Sequence, residues 1–237
     1  MFIEWTDIGT YHMESQKENE DAVASITDGR NAAIALCDGV SVCEHAKEGA
    51  RVTCDSLCSF FVRKSDKLAD YDRRTIVRKA VSHIMYDLRK QAELSGNTME
   101  SLSSTAACVS YDDGLKKLLC LNIGDALVGG VGENGFEVII RPQKGNHGCY
   151  TVTTKRVELA AEIAIVDAEK YSSVFICSDG MWKQFYKNGQ LSDEAKECFD
   201  RGDYKMLIRR LRDNRSFDDR SIVVMDIESL IQGKEAS

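Results

Sequence analysis

Two long segments of helical spacing lie between two blocks of short apolar runs, and few folds accommodate that order. From His45 to about Arg63 the apolar positions Ala46, Ala50, Cys54, Leu57 and Phe61 recur three and four apart. From about Asp72 to Leu94, Ile76, Val77, Ala80, Val81, Ile84 and Leu88 share one face. Both segments are amphipathic, so each should cover a sheet. The flanking runs predict strands near Phe2–Thr10, Ala22–Thr27, Ala32–Cys37, Thr105–Tyr111, Leu115–Ile123, Ala126–Val131, Phe136–Ile140, Tyr150–Thr154, Val174–Cys177 and Ser221–Ile227. Strands in short hairpins with segregated helices argue for an α+β fold, sheet on sheet with helices outside, rather than a doubly wound parallel sheet. No linker, repeat or low-complexity run divides the 237 residues, so one domain spanning 1–237 is expected.

The strand ends carry an unusual feature. Four Asp-Gly pairs follow apolar runs, and two of them, Asp28-Gly29 and Asp113-Gly114, have strand-like sequence on both sides, as hairpin turns do. The other two differ. Asp38-Gly39 leads into the first helical segment and Asp179-Gly180 into the short amphipathic "MWKQFY", so neither closes a hairpin. A carboxylate at the end of a buried strand is costly unless it is paired, protonated or bound to a cation. Glu20 and Asp21 at the mouth of the second strand, Asp125 after "LCLNIG", and Asp218 and Asp219 before the last strand add further acidic residues in similar places. Widely separated carboxylates at strand ends suit hard divalent cations such as Mg²⁺ or Mn²⁺, which take oxygen ligands.

Six segments, in order, carry a family resemblance: "NEDA" (Asn19–Ala22), "DGVSVCEHAKEGA" (Asp38–Ala50), "SSTAACV" (Ser103–Val109), "LNIGDA" (Leu121–Ala126), "FICSDGMW" (Phe175–Trp182) and "DDRSIVVM" (Asp218–Met225). The chain resembles the metal-dependent protein phosphatases of type 2C. That resemblance implies a central β-sandwich of two antiparallel sheets flanked by helices on both sides, with two Mn²⁺ or Mg²⁺ ions at one end. It implies that Asp38 bridges both ions beside the Gly39 carbonyl, that Asp179 and Asp218 are direct ligands, and that Glu20 and Asp21 hold metal-bound waters. Asp125 would help bind a weaker third ion. Water activated at such a centre would hydrolyse phosphoserine and phosphothreonine monoesters of a phosphoprotein, with a cognate Ser/Thr kinase as a further partner. The resemblance assigns the metal to the first of the adjacent pair, Asp218, and because adjacent side chains entering a strand point to opposite faces, Asp219 is not expected to reach the same ion.

The chain also departs from the family pattern. Where many members carry an Arg four positions before the Glu of the first motif, Gln16 stands here; Val40 replaces a His that often follows the first Asp-Gly; and Lys183 follows Trp182 where an acidic residue is common. A Gly-x-x-His entry, Gly9 to His12, resembles a divergent bacterial-type branch, and His12, expected on the preceding strand, is a candidate phosphate or water contact. His12 and Gln16 are therefore the candidate substrate-binding residues, and His12, Glu20, Asp21 and Asp38 the candidate catalytic ones. These departures open an alternative, a phosphatase-like binding module that sequesters a phosphoprotein or kinase without turnover.

Composition bounds the rest. A net charge of -7 with no adequate basic patch argues against nucleic-acid or anionic-membrane binding, and "IRRLRDNR" reads as one face of a solvated helix. No run of 18 apolar residues and no signal-type N-terminus occurs, so a cytoplasmic monomer is expected. Nine scattered cysteines without a CxxC pair, several inside strand-like runs, read as buried reduced thiols, and no CxxxxxR phosphate loop is present.

Overall fold

A computed structural model describes residues 1–68, 70–143 and 148–235. Its strands are β1 (Phe2–Asp7), β2 (Asp21–Thr27), β3 (Ala32–Asp38), β4 (Ala106–Asp112), β5 (Lys117–Ile123), β6 (Leu127–Gly132), β7 (Gly135–Ile140), β8 (Glu162–Asp167), β9 (Ser173–Cys177), the short pair β10 (Tyr186–Lys187) and β11 (Gln190–Leu191), and β12 (Arg220–Asp226). Its helices are α1 (Thr10–Glu14), α2 (Ala46–Leu68), α3 (Arg73–Ser95), α4 (Asp179–Phe185), α5 (Asp193–Asp200), α6 (Tyr204–Arg212) and α7 (Ile227–Glu235).

Two five-stranded antiparallel sheets, ordered β1-β12-β9-β6-β7 and β2-β3-β4-β5-β8, face one another. Strand alternation explains the layers. On β3, Ile34 and Leu36 meet Val128, Ile176 and Val223 of the opposite sheet, whereas Ala33, Ala35 and Cys37 face α2 and α3. Both faces of β3 are covered, which is why "AAIALC" is apolar throughout. The second sheet is covered in the same way: Phe175, Cys177, Ile222 and Val224 pack outward against Met181, Phe185, Phe199 and Leu207. The result is the expected helix–sheet–sheet–helix stack. Among the described residues no helix is long and apolar enough to cross a membrane.

Three local expectations are corrected. The first strand ends at Asp7, and the chain turns into the five-residue helix α1, which holds His12. Tyr150–Thr154, β-branched and strand-like in sequence, is a loop anchored by the Val152 N–H donating to the Ser104 carbonyl at 2.9 Å. The strand at Glu162–Asp167 was not anticipated from the sequence; it is the outer strand of its sheet, and its residues are partly or fully exposed.

Candidate active site

The pairing register gathers the acidic strand ends at one edge of the sandwich. Asp21, the first residue of β2, lies opposite Asp38, the last of β3. In the facing sheet Cys177 at the end of β9 pairs with Ile222 of β12 and with Leu127 of β6. Asp179 just beyond β9, Asp218 just before β12 and Asp125 just before β6 therefore share that edge. Their mutual influence is felt at Asp38, whose carboxyl is held well above the usual range by desolvation and by the charges of Asp21, Asp179, Asp218 and Asp125. Burial pushes Asp21 up to about 7, with the Asp219 and Asp218 charges adding to it. Desolvation and the neighbouring Asp179 raise Asp218 to about 6.

The protein supplies too little to neutralise this cluster. Buried Glu20 Oε2, Asp21 Oδ2 and Asp179 Oδ1 accept no hydrogen bond. Leaving such oxygens unmade is expensive unless a proton or a cation satisfies them. Clustered carboxylate oxygens suit Mg²⁺ or Mn²⁺ rather than zinc. Among the described residues no three His, Cys, Asp or Glu side chains already stand in a ligand arrangement. One reason is visible at Asp179, whose Oδ2 is taken by the Lys183 ammonium one helical turn along α4.

The two aspartates before β12 differ in their surroundings. Asp219 turns inward: Oδ1 accepts from the Gly9 N–H at 2.7 Å, and Oδ2 accepts from the Glu20 N–H at 2.7 Å and pairs with His12 Nδ1 at 2.8 Å. The other nitrogen of His12 lies 3.2 Å from Ser41 Oγ and 3.3 Å from Glu20 Oε2. His12 is only 3% exposed, and both ring nitrogens are engaged by protein groups. Gln16 is exposed and carries a left-handed φ of 55° at the end of α1. The neighbouring Lys17 reaches the site instead, donating to Glu20 Oε1 at 3.2 Å and to the Ser41 carbonyl. Asp125 is buried, accepting from the Cys149 thiol at 3.1 Å, while its carbonyl accepts from the Trp182 indole at 2.9 Å.

Gly39 and Gly180 allow close passage of neighbouring chain. A Cβ on Gly39 would lie 2.8 Å from the Glu20 carbonyl oxygen, and one on Gly180 2.1 Å from that of Asp219. Beside Glu20 and Asp21 opens a cavity of about 810 Å³ of mixed charge, whose lining includes Lys17, His45, Lys47 and Arg51 as well as Glu18, Glu44 and Glu48. All nine cysteines are free, and burial raises the Cys120 thiol to about 12 and that of Cys177 well above its ordinary value, so neither strand cysteine is poised as a nucleophile.

Sequence reasoning missed Lys17, Lys183 as the partner of Asp179, and the inward role of Asp219. Only the Lys183 pairing had a signal, the i,i+4 spacing from Asp179 in a segment already read as helical.

A sequence profile of the family described as "Protein phosphatase 2C" matches residues 8–214. Among solved structures, a bacterial serine phosphatase is similar at 16% identity and TM-score 0.68, covering 95% of this chain and 97% of its own. The Mycobacterium tuberculosis serine/threonine phosphatase PstP/Ppp is similar at 16% identity and TM-score 0.66, with 95% and 97% covered. RsbX, solved in complex with magnesium, is similar at 11% identity and TM-score 0.58, with 94% and 92% covered. A search of curated proteins gives no match.

Proposed function

This chain belongs to the protein phosphatase 2C family, and from that premise we propose that it hydrolyses phosphoserine and phosphothreonine monoesters of proteins with divalent cations held at its carboxylate edge. The observation that carries the proposal is the set of buried carboxylate oxygens that accept no hydrogen bond, on Asp21 and Asp179 and, with only the His12 ring beside it, on Glu20, next to the raised carboxyls of Asp38 and Asp218. Asp38, the Gly39 carbonyl, Asp179 and Asp218 would hold the ions directly, Glu20 and Asp21 through water, and Asp125 a weaker third ion. When bound, Mn²⁺ or Mg²⁺ would lower the pKa of an attacking water and neutralise the phosphoryl oxygens.

The remaining work falls to the chain's own residues. Asp219 fixes the backbone of Glu20 and the ring of His12, and His12 in turn stands against the Glu20 carboxylate. His12 is thus a positioning residue for Glu20 rather than a substrate contact. Lys17 takes the part that Gln16, neutral and turned to solvent, cannot: its ammonium stands at the cavity wall, where a phosphate dianion would gain a charge-assisted hydrogen bond. The same wall carries Glu18, Glu44 and Glu48 beside His45, Lys47 and Arg51, with Lys47 paired to Glu18 and Arg51 to Asp55, so an extended phosphoprotein would find remote contacts of both signs there and binding energy that a small phosphoester lacks. A Ser/Thr kinase or its substrate fits this reading as partner.

A second reading has one observation in its favour. Lys183 already occupies Asp179, so a chain whose cations never displace it would bind phosphoproteins without turnover. Hydrolysis of p-nitrophenyl phosphate separates the two. The phosphatase requires Mn²⁺ or Mg²⁺, stops with EDTA and resists thiol alkylation; activity undiminished by EDTA would sink the metal mechanism, and silence under every condition would favour the binding module.

A further inference from the structure

On the outer face of the helical layer, away from the carboxylate edge, α2 and α3 enclose a cleft of about 660 Å³. Two stripes at helical spacing form its walls: Phe60, Lys64 and Leu68 on α2, and Lys79, His83 and Tyr86 on α3, with Arg78 beside them. The first helical turn of α2 adjoins Gly39, and Phe60 lies fourteen residues further on, about 21 Å along the axis at 1.5 Å per residue. The cleft is therefore separate from the catalytic cavity.

Its chemistry inverts that of the rest of the molecule. The chain carries a net charge of -7, yet four of the lining side chains, Lys64, Arg78, Lys79 and His83, are cationic or can become so, and among the described residues no carboxylate lines the cleft. The Lys79 ammonium lies 4.7 Å over the Tyr71 ring, and His83 is 3.6 Å from Asp87. Lys64 and Arg78 are exposed and in no ion pair among the described residues. Between these charges the floor is apolar, made by Phe60, Leu68 and Tyr71, and Tyr86 stands 63% exposed at the rim.

We propose that this cleft docks an acidic peptide segment of a partner protein, with carboxylates on Lys64, Arg78 and Lys79 and an apolar side chain on the Phe60–Leu68–Tyr71 floor. A bare inorganic anion would leave that floor unused. A nucleic acid would gain the same cations, but a polyanion extending beyond the cleft meets a surface of net negative charge. A short acidic segment with an apolar anchor uses both features and ends where the basic patch ends.

The test is fluorescence anisotropy of the full chain with a labelled peptide rich in glutamate and leucine. Saturable binding is expected at low salt, weakening steeply as salt rises. Charge reversal in K64E/R78E should weaken it at least about tenfold, and neutralisation in K64Q/R78Q by less, while hydrolysis of p-nitrophenyl phosphate stays unchanged. Both positions are exposed, so an unaltered melting temperature serves as the folding control. Absent binding, or equal binding by wild type and K64E/R78E, would overturn the proposal. So would a single-stranded oligonucleotide of matched charge that competes as well as the peptide, or self-association of the wild type that K64E/R78E abolishes, which would assign the cleft to a second copy.

Discussion

The same dipeptide closes strands at opposite ends of this sandwich, with opposite electrostatics. At the hairpin end, Asp28 Oδ1 accepts from the Arg30 and Asn31 N–H groups at 2.9 and 2.7 Å, and Asp113 Oδ1 pairs with Lys116 at 2.8 Å and the Tyr111 hydroxyl at 2.9 Å. At the other end, Asp38 is held above its ordinary range by desolvation and neighbouring carboxylates, and Asp179 keeps a buried oxygen without a partner. The glycines differ as well. Gly29 has a φ of 88° and nothing within 4 Å of a would-be Cβ, so it serves backbone conformation; Gly39 and Gly180 have no such φ and serve close chain approach. A carboxylate whose lone pairs are filled locally is a turn. One whose lone pairs are left over at a strand end is a candidate site.

The largest effect that could break this contrast is on catalysis. Asp38→Asn should lower phosphate release by more than about 100-fold, since even outer-shell partners of a metal are worth roughly 10–100-fold. Asp28→Asn, at the other end of the same strand, should leave turnover near wild type. Comparable losses in both would dissolve the distinction.

Next comes Asp219, which belongs to the active end yet is satisfied like a turn residue. In Asp219→Asn the amide oxygen can replace Oδ2, but the amide nitrogen would then face the Gly9 N–H, leaving that buried donor unmade at a cost of about 1–3 kcal/mol. The expected outcome is a lower melting temperature with metal-dependent activity retained below it. Loss of metal binding with unchanged stability would mean that Asp219, not Asp218, faces the ions.

The raised carboxyls also predict a pH dependence confined to the active end. With Asp21 near 7 and Asp218 near 6, against an ordinary value of 3.8 for each, the metal-free fold holds protons that the unfolded chain has released. Their contribution is complete below about pH 4 and is lost as pH rises through 6 to 7. Melting of the EDTA-treated protein should therefore fall between about pH 5.5 and 8, and Asp21→Asn should flatten that slope. A melting temperature that climbs over this window would contradict the assignment.

The smallest effect concerns Lys183, the resident cation on Asp179. Its side chain is 43% exposed, and such a pair is worth at most about 1 kcal/mol, so Lys183→Met should tighten Mn²⁺ binding by no more than about fivefold. Weaker Mn²⁺ binding in that variant would mean that the ammonium supports the site instead of competing for it.

What the sequence revealed follows from how far each signal reaches. The long helices were legible almost to their ends, because α2 and α3 repeat their apolar spacing over many turns, and the Asp72 cap and Gly96 stop of α3 follow ordinary rules. The acidic edge was legible because each carboxylate ends or precedes an apolar run. Helix α1 was not: five residues are too few for a period, so His12 read as part of the strand before it. Tyr150–Thr154 misled because β-branched residues suit a strand, whereas here Val152 alone is fully buried and the backbone turns. The pairing of Asp219 with Gly9, His12 and Glu20 spans about two hundred positions, and no local pattern could announce it.

Calorimetric titration of Mn²⁺ into the metal-free protein tests most directly whether the unfilled carboxylates are a cation centre. Saturable binding is predicted for the wild type and for Asp28→Asn, with loss of the main binding step in Asp38→Asn. The same heats in all three proteins, or none in the wild type, would contradict the account.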